Sequence, residues 1–316
     1  MTRRDFEQKA NIKSLDPLKM GRHDGLSIRR IVDPSEDLQL EALGQNYWSI
    51  QFIEHPSEAV QLYAVRKNGH AIQHIQHPSE KVKLEAVNNG GSSIKFIANP
   101  SEEVMLAAVS GYACAIQHIV NPPEHVQIAA LSHGNGHAIG YIKNPSEAVK
   151  LVAVMNCGTA ICYIKNPSEA LQIASVKAHG ESILHIENPC KEAQLIAVQT
   201  SNQALGMIEN PSDEVVWASI RHDPSSIMYV DHPSEAVQLA AVQIDGEVIQ
   251  FLDATVDNIT EAVKLAAVKR YGFAIRHIQK PSDEVMLAAV ATTPEAYGCF
   301  KDEWFSQGEC RGGIAL

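Results

Sequence analysis

One phrase governs this sequence. Asn-Pro-Ser-Glu, or a close variant, places a proline at Pro34, Pro56, Pro78, Pro100 and Pro122, each 22 residues after the last. The series resumes at Pro145, Pro167, Pro189, Pro211 and Pro233 and closes at Pro281, with Ile259 holding the place in one unit. One extra residue near Gly134–Gly136 and four around Ala254–Asp257 are the only shifts of register. A period this short cannot build separate cores. Each copy must bury its apolar face against the next, so the chain is expected to stack twelve units in a row.

Within a unit, Asn-Pro-Ser-Glu (Asn144–Glu147) reads as the start of a helix. Asparagine is a good N-cap, proline is favoured at the first helical position, and glutamate at the third completes a capping box. Asp33, His55, His77 and His232 take the cap position elsewhere. The body, V-x-L-x-A-V (Val60–Val65), is apolar over more than one face, as a helix packed on both sides requires. Its alanine position is small in every unit, from Ala42 through Ser175 and Ser219 to Ala289, which predicts close approach of neighbouring backbones. The glycines that follow, such as Gly69, Gly158 and Gly272, read as left-handed helix ends. A second piece, Ala-Ile-x-x-Ile (Ala71–Ile75), is long enough for one or two turns of α or 3₁₀ helix. The expected fold is therefore all-α: an α-solenoid, or superhelix, of twelve capped helix-plus-short-helix units. It spans residues 27–290, between an N-terminal cap over 1–26 and a C-terminal cap over 291–316 that brings Tyr297, Phe300, Trp304 and Phe305.

The phrase NPSEAVxLxAV resembles the leucine-rich-variant repeat, whose units alternate an α-helix with a 3₁₀ helix. It is similar also to short HEAT-like helical repeats of bacteria and large phages that read LAAVKxNGxAI. The resemblance covers roughly residues 27–290 and implies architecture more than activity. Some leucine-rich-variant proteins carry an N-terminal iron–sulfur cluster, but residues 1–30 contain no cysteine, so that cluster is not expected here.

Charge narrows the choice of partner. The net charge is −11, yet residues 1–30 hold eight Lys/Arg against four Asp/Glu, so the remainder is strongly acidic. Phosphate backbones need clustered cations, and an acidic body disfavours nucleic acid. No apolar run has the length of a membrane span, and the N-terminus lacks an apolar leader, so a cytoplasmic protein is expected. The six cysteines form no CxxC pair and read as free thiols. There is no phosphate loop, nucleophile elbow or HExxH, so no catalytic residue, no cofactor and no enzyme activity is expected. His70 and His74 have the i, i+4 spacing of a metal pair, but caps and a half-exposed stripe account for them and no metal site is assigned.

Two columns stand out as candidate binding surfaces. One is a ring ladder just before the second isoleucine, represented by Tyr141, Tyr163, His185, Tyr229 and Phe251. Its bland reading is packing between units; its functional reading is a grip on a partner. The other is an acidic stripe one residue after that isoleucine, Glu187, Glu209, Asp231 and Asp253, preceded in the two units before it by Lys143 and Lys165. Helix capping does not require acid there. The glutamates of the Pro-Ser-Glu column, by contrast, are explained by capping, which weakens a DNA-mimic reading. Asn202 and Pro224 replace the usual glycine in the same region, and departures from a local rule gather at functional or strained sites. The expected function is a non-enzymatic scaffold that binds another protein through a cationic or polar segment docking near the eighth to tenth units. The phage-like side of the resemblance implies a narrower version, an inhibitor of a host defence component. The alternatives are a small-molecule or nucleotide binder, and a HEAT-like nucleic-acid enzyme or acidic DNA mimic.

Overall fold

The computed structural model describes residues 25–252 and 259–299. Among these, twelve α-helices alternate with thirteen 3₁₀ helices, and no residue is in a strand. The chain is an all-α helical-repeat solenoid that divides into two bodies, residues 1–157 and 158–316. In the first body the α-helices are Glu36–Gln45, Glu58–Lys67, Glu80–Asn89, Glu102–Gly111, Glu124–Leu131 and Glu147–Asn156. In the second they are Glu169–Ala178, Lys191–Thr200, Asp213–His222, Glu235–Ile244, Glu261–Arg270 and Asp283–Thr292. Within each body every α-helix packs on the next, and every 3₁₀ helix packs on the next, giving two layers. The last 3₁₀ helix, Pro294–Cys299, lies in the stretch expected as the C-terminal cap, so the repeat geometry runs past residue 290. Phe300, Trp304, Phe305 and most of the N-terminal cap fall outside the described residues.

The core is aliphatic and repetitive. The first valine of the motif, the small residue and the last valine are buried in successive units, as in Val60, Ala64 and Val65 or Val263, Ala267 and Val268. The short helices add Ile72, Ile116 and their equivalents from the other layer.

Three local expectations are corrected. First, the N-cap is serine, not asparagine. Ser57, Ser79, Ser101, Ser146 and Ser282 each accept a hydrogen bond from the backbone N–H three residues on, and the glutamate occupies the first helical position. There is no capping box. The glutamate reaches forward to the next unit instead: Ser79 donates to Glu58 at 2.5 Å, Thr260 to Glu235 at 2.7 Å, Ser101 to Glu80 and Ser282 to Glu261. The Ser101 hydroxyl holds the Glu80 carboxyl below the usual carboxylate range. A carboxylate at the first turn also suits the positive end of the helix dipole.

Second, a residue before proline ordinarily takes an extended backbone, yet in most units it adopts a left-handed φ near +50°, as at Asn99, Asn144, Asn188 and Asn210. Asparagine tolerates this region because its short side chain can hydrogen-bond locally; most side chains pay about 1–2 kcal/mol there. Lys280 holds φ +48° without that advantage. Lys280→Asn is expected to raise stability by up to about 1 kcal/mol, read as a higher urea midpoint at unchanged slope.

Third, the glycines after the helices are not left-handed; among described glycines only Gly25 and Gly134 have positive φ. Their role is close approach. A Cβ on Gly69 would lie 2.2 Å from the Ala86 carbonyl oxygen of the next unit, and one on Gly246 would lie 2.4 Å from that of Ala267. The alanine column and the glycine column are thus two sides of one contact. The extra residue near Gly134–Gly136 is absorbed by an early helix end at Leu131 and a turn through His133 and Gly134, both at positive φ.

Candidate binding edge of the second body

In the eighth to tenth units the 3₁₀ helix ends on the ladder position, His185, Met207 or Tyr229. An extended Ile186, Ile208 or Val230 follows, then the stripe residue, then a left-handed residue before proline, Asn188, Asn210 or His232. Sequence alone therefore places ladder, stripe and turn along one edge of the stack. In the second body this edge carries two adjoining grooves of about 780 Å³ and 580 Å³. His185, Glu187 and Met207 line the first, Tyr229 and Asp231 the second, and Glu209 with Asn210 lines both. Ile183 and Ile186 back the first groove and Leu205, Ile208 and Val237 the second; all five are buried, so most of the open groove surface is polar.

Three of the four stripe residues, Glu187, Glu209 and Asp231, are exposed on this edge. Asp253 lies outside the described residues. No hydrogen bond or ion pair among the described residues engages the three carboxylates. Other acids of the same body do pair across units: Lys191 meets Glu214 at 2.5 Å, and Arg276 meets Glu247.

The ring ladder is mixed rather than uniformly packed. Tyr163 is 54% exposed and His185 is exposed, Tyr229 is 36% exposed, and Phe251 is half-buried. Tyr141, in the first body, is 50% exposed. Several of the rings touch neighbours across units. Trp48 meets His74 edge-on at 5.4 Å, and His70 meets Phe96 at 5.5 Å. A Cβ on Gly206 would lie 2.7 Å from the Tyr229 ring, so that ring leans over the preceding unit. The ladder therefore packs with one face and presents the other to solvent.

The rule-breaking residues have a structural explanation. Asn202 Nδ2 donates to Asp223 Oδ2 at 3.0 Å, while Asp223 Oδ1 accepts from the Ser225 N–H at 2.9 Å and caps the short helix that Pro224 begins. Partial burial alone would raise the Asp223 pKa; the bonds from Ser225 and Asn202 outweigh it and hold the carboxyl below its ordinary value. The swap also has a consequence for the edge. Pro224 carries a Cβ where glycine elsewhere meets the next unit's carbonyl, and the helices Asp213–His222 and Glu235–Ile244 approach less closely than their neighbours. The second groove opens beside this looser pair.

Sequence reasoning missed Leu184 and Met228. They are 61% and 45% exposed and stand one residue before the ladder; Leu184 lines the first groove. The signal was available but weak: four other units put glutamine at that position, Gln51, Gln73, Gln117 and Gln250, and others put Lys95 or Arg276 there.

The histidine pair His70 and His74 is engaged by separate neighbours. The His70 ring lies 3.4 Å from the Ser92 hydroxyl and against Phe96, and the His74 ring lies against Trp48. No group of three or more His, Cys, Asp or Glu is arranged to hold a metal among the described residues. Burial lowers the pKa of both from 6.5, and nearby Lys95 adds to the effect at His70. The unfolded chain then binds protons more readily than the folded one. Stability is full above pH 6.5 and falls as the pH drops below it. The urea midpoint is expected to fall between pH 7.5 and 5.5, and to fall less in a His70→Gln, His74→Gln variant.

Among the described residues no helix is long and apolar enough to cross a membrane. The fold and edge define a class: a helical-repeat solenoid with an acidic, ring-bearing groove. Compared with known protein families, curated proteins and solved structures, the chain matches none.

Proposed function

We propose that the chain is a protein-interaction scaffold whose second body captures a cationic segment of another protein on the edge formed by residues 183–237. The observation that carries this reading is the coincidence of three unpaired carboxylates with two adjoining grooves and the exposed rings of His185 and Tyr229. Like charges one unit apart contribute nothing to folding. A partner's lysine or arginine supplies the missing countercharge, and the exposed Tyr229 ring adds cation–π attraction.

Affinity capture with tagged wild-type protein and with Glu209→Lys/Asp231→Lys, followed by mass spectrometry, tests it. The expected result is a partner enriched by wild type, lost from the double variant, and binding directly once purified. Identical captures from both proteins contradict the reading.

A further inference from the structure

The stripe carries one carboxylate per repeat, and this spacing constrains the backbone that can meet it. Packed helices stand about 8–10 Å apart, so Glu187, Glu209 and Asp231 recur along the edge at about that interval. A β-strand returns a side chain to the same face every second residue, about 6.6 Å, and is out of step after one unit. A polyproline II segment rises about 3.1 Å per residue with three residues per turn, so one face repeats at about 9.3 Å. It stays in step with the stack. The grooves suit such a segment in a second respect. Polyproline II ligands dock in ring-lined grooves; His185 lines the first groove and Tyr229 the second, with Met207 at the rung between them.

Resting on the scaffold reading above, we infer that the partner segment is a polyproline II stretch with a basic residue at every third position, each paired to one carboxylate of Glu187, Glu209 and Asp231. Its intervening residues lie along the two grooves on either side of Glu209. Glu209, which lines both grooves, is the central anchor. The match is one of period: a segment with the same charge in a different register meets one carboxylate well and the others poorly.

The probes are two fluorescein-labelled nonapeptides of identical composition, three arginines and six prolines. One repeats Arg-Pro-Pro; the other places its arginines at every second residue. Each is titrated by fluorescence anisotropy with the full-length protein and with Glu209→Lys at low salt. The three-residue register is expected to bind about tenfold tighter than its isomer, a difference of 1.4 kcal/mol, and to lose at least tenfold in Glu209→Lys. Equal affinity for both peptides, with both lost in Glu209→Lys, overturns the register inference and leaves the cationic-partner reading standing. An unchanged affinity in Glu209→Lys, or no measurable binding of either peptide, also overturns it; the scaffold reading is then judged by the capture experiment alone.

Discussion

Gly69→Ala is expected to destabilise the protein by about 3 kcal/mol or more, at the upper end of what overpacking costs. The added Cβ would sit 2.2 Å from the Ala86 carbonyl oxygen and 2.6 Å from the Ser93 hydroxyl oxygen. The serine can rotate; the carbonyl belongs to the helix Glu80–Asn89 and cannot move without parting the two units. Gly111→Ala is the control. A Cβ there meets nothing within 4 Å, and alanine is the better helix residue, so that variant should be neutral or stabilised by up to about 1 kcal/mol. Urea unfolding of the two variants against wild type reads both. Equal, small effects would mean that the units do not depend on backbone contact for their stability.

Glu209→Lys/Asp231→Lys is expected to weaken the captured partner's binding about 100-fold or more while leaving the unfolding free energy within about 0.5 kcal/mol of wild type. Both carboxylates are exposed and make no contact that folding uses. Reversal does more than remove two attractions, since it sets like charges against the partner's basic groups in a partly desolvated groove. Affinity for the wild-type protein should also fall with added salt, and that dependence should largely vanish in the variant. Isothermal titration at two salt concentrations reads both effects.

Much of this was legible in the sequence, because a repeat displays each structural rule many times. The 22-residue period gave the stack, the alternation of a long and a short helix, and the close contact behind the alanine column. What the sequence left ambiguous was which of several equivalent chemistries operates. Asn-Pro-Ser-Glu supports a helix starting after asparagine as well as one starting after serine. The two differ by a left-handed turn at the residue before proline, which only backbone geometry distinguishes. Glycine after a helix suggests a left-handed end, yet here Gly69 and Gly246 are required by a carbonyl from the following unit, a partner 17 and 21 residues away in sequence. The candidate edge was half visible. Glu187, Glu209 and Asp231 stood out because no local rule calls for acid there, whereas the grooves between them depend on how neighbouring units pack. Leu184 and Met228 were hidden by a column whose variation looked like surface noise.

Hydrogen–deuterium exchange on the full chain, with and without the partner recovered by capture, tests the central claim most directly. Binding at the proposed edge predicts slowed exchange at backbone amides of residues 183–190, 205–212 and 227–234, with the outward faces of the α-helices unchanged. Protection centred instead on the helical face around Leu239, Leu265 and Lys269, with the three edge segments exchanging as in the free protein, would contradict it.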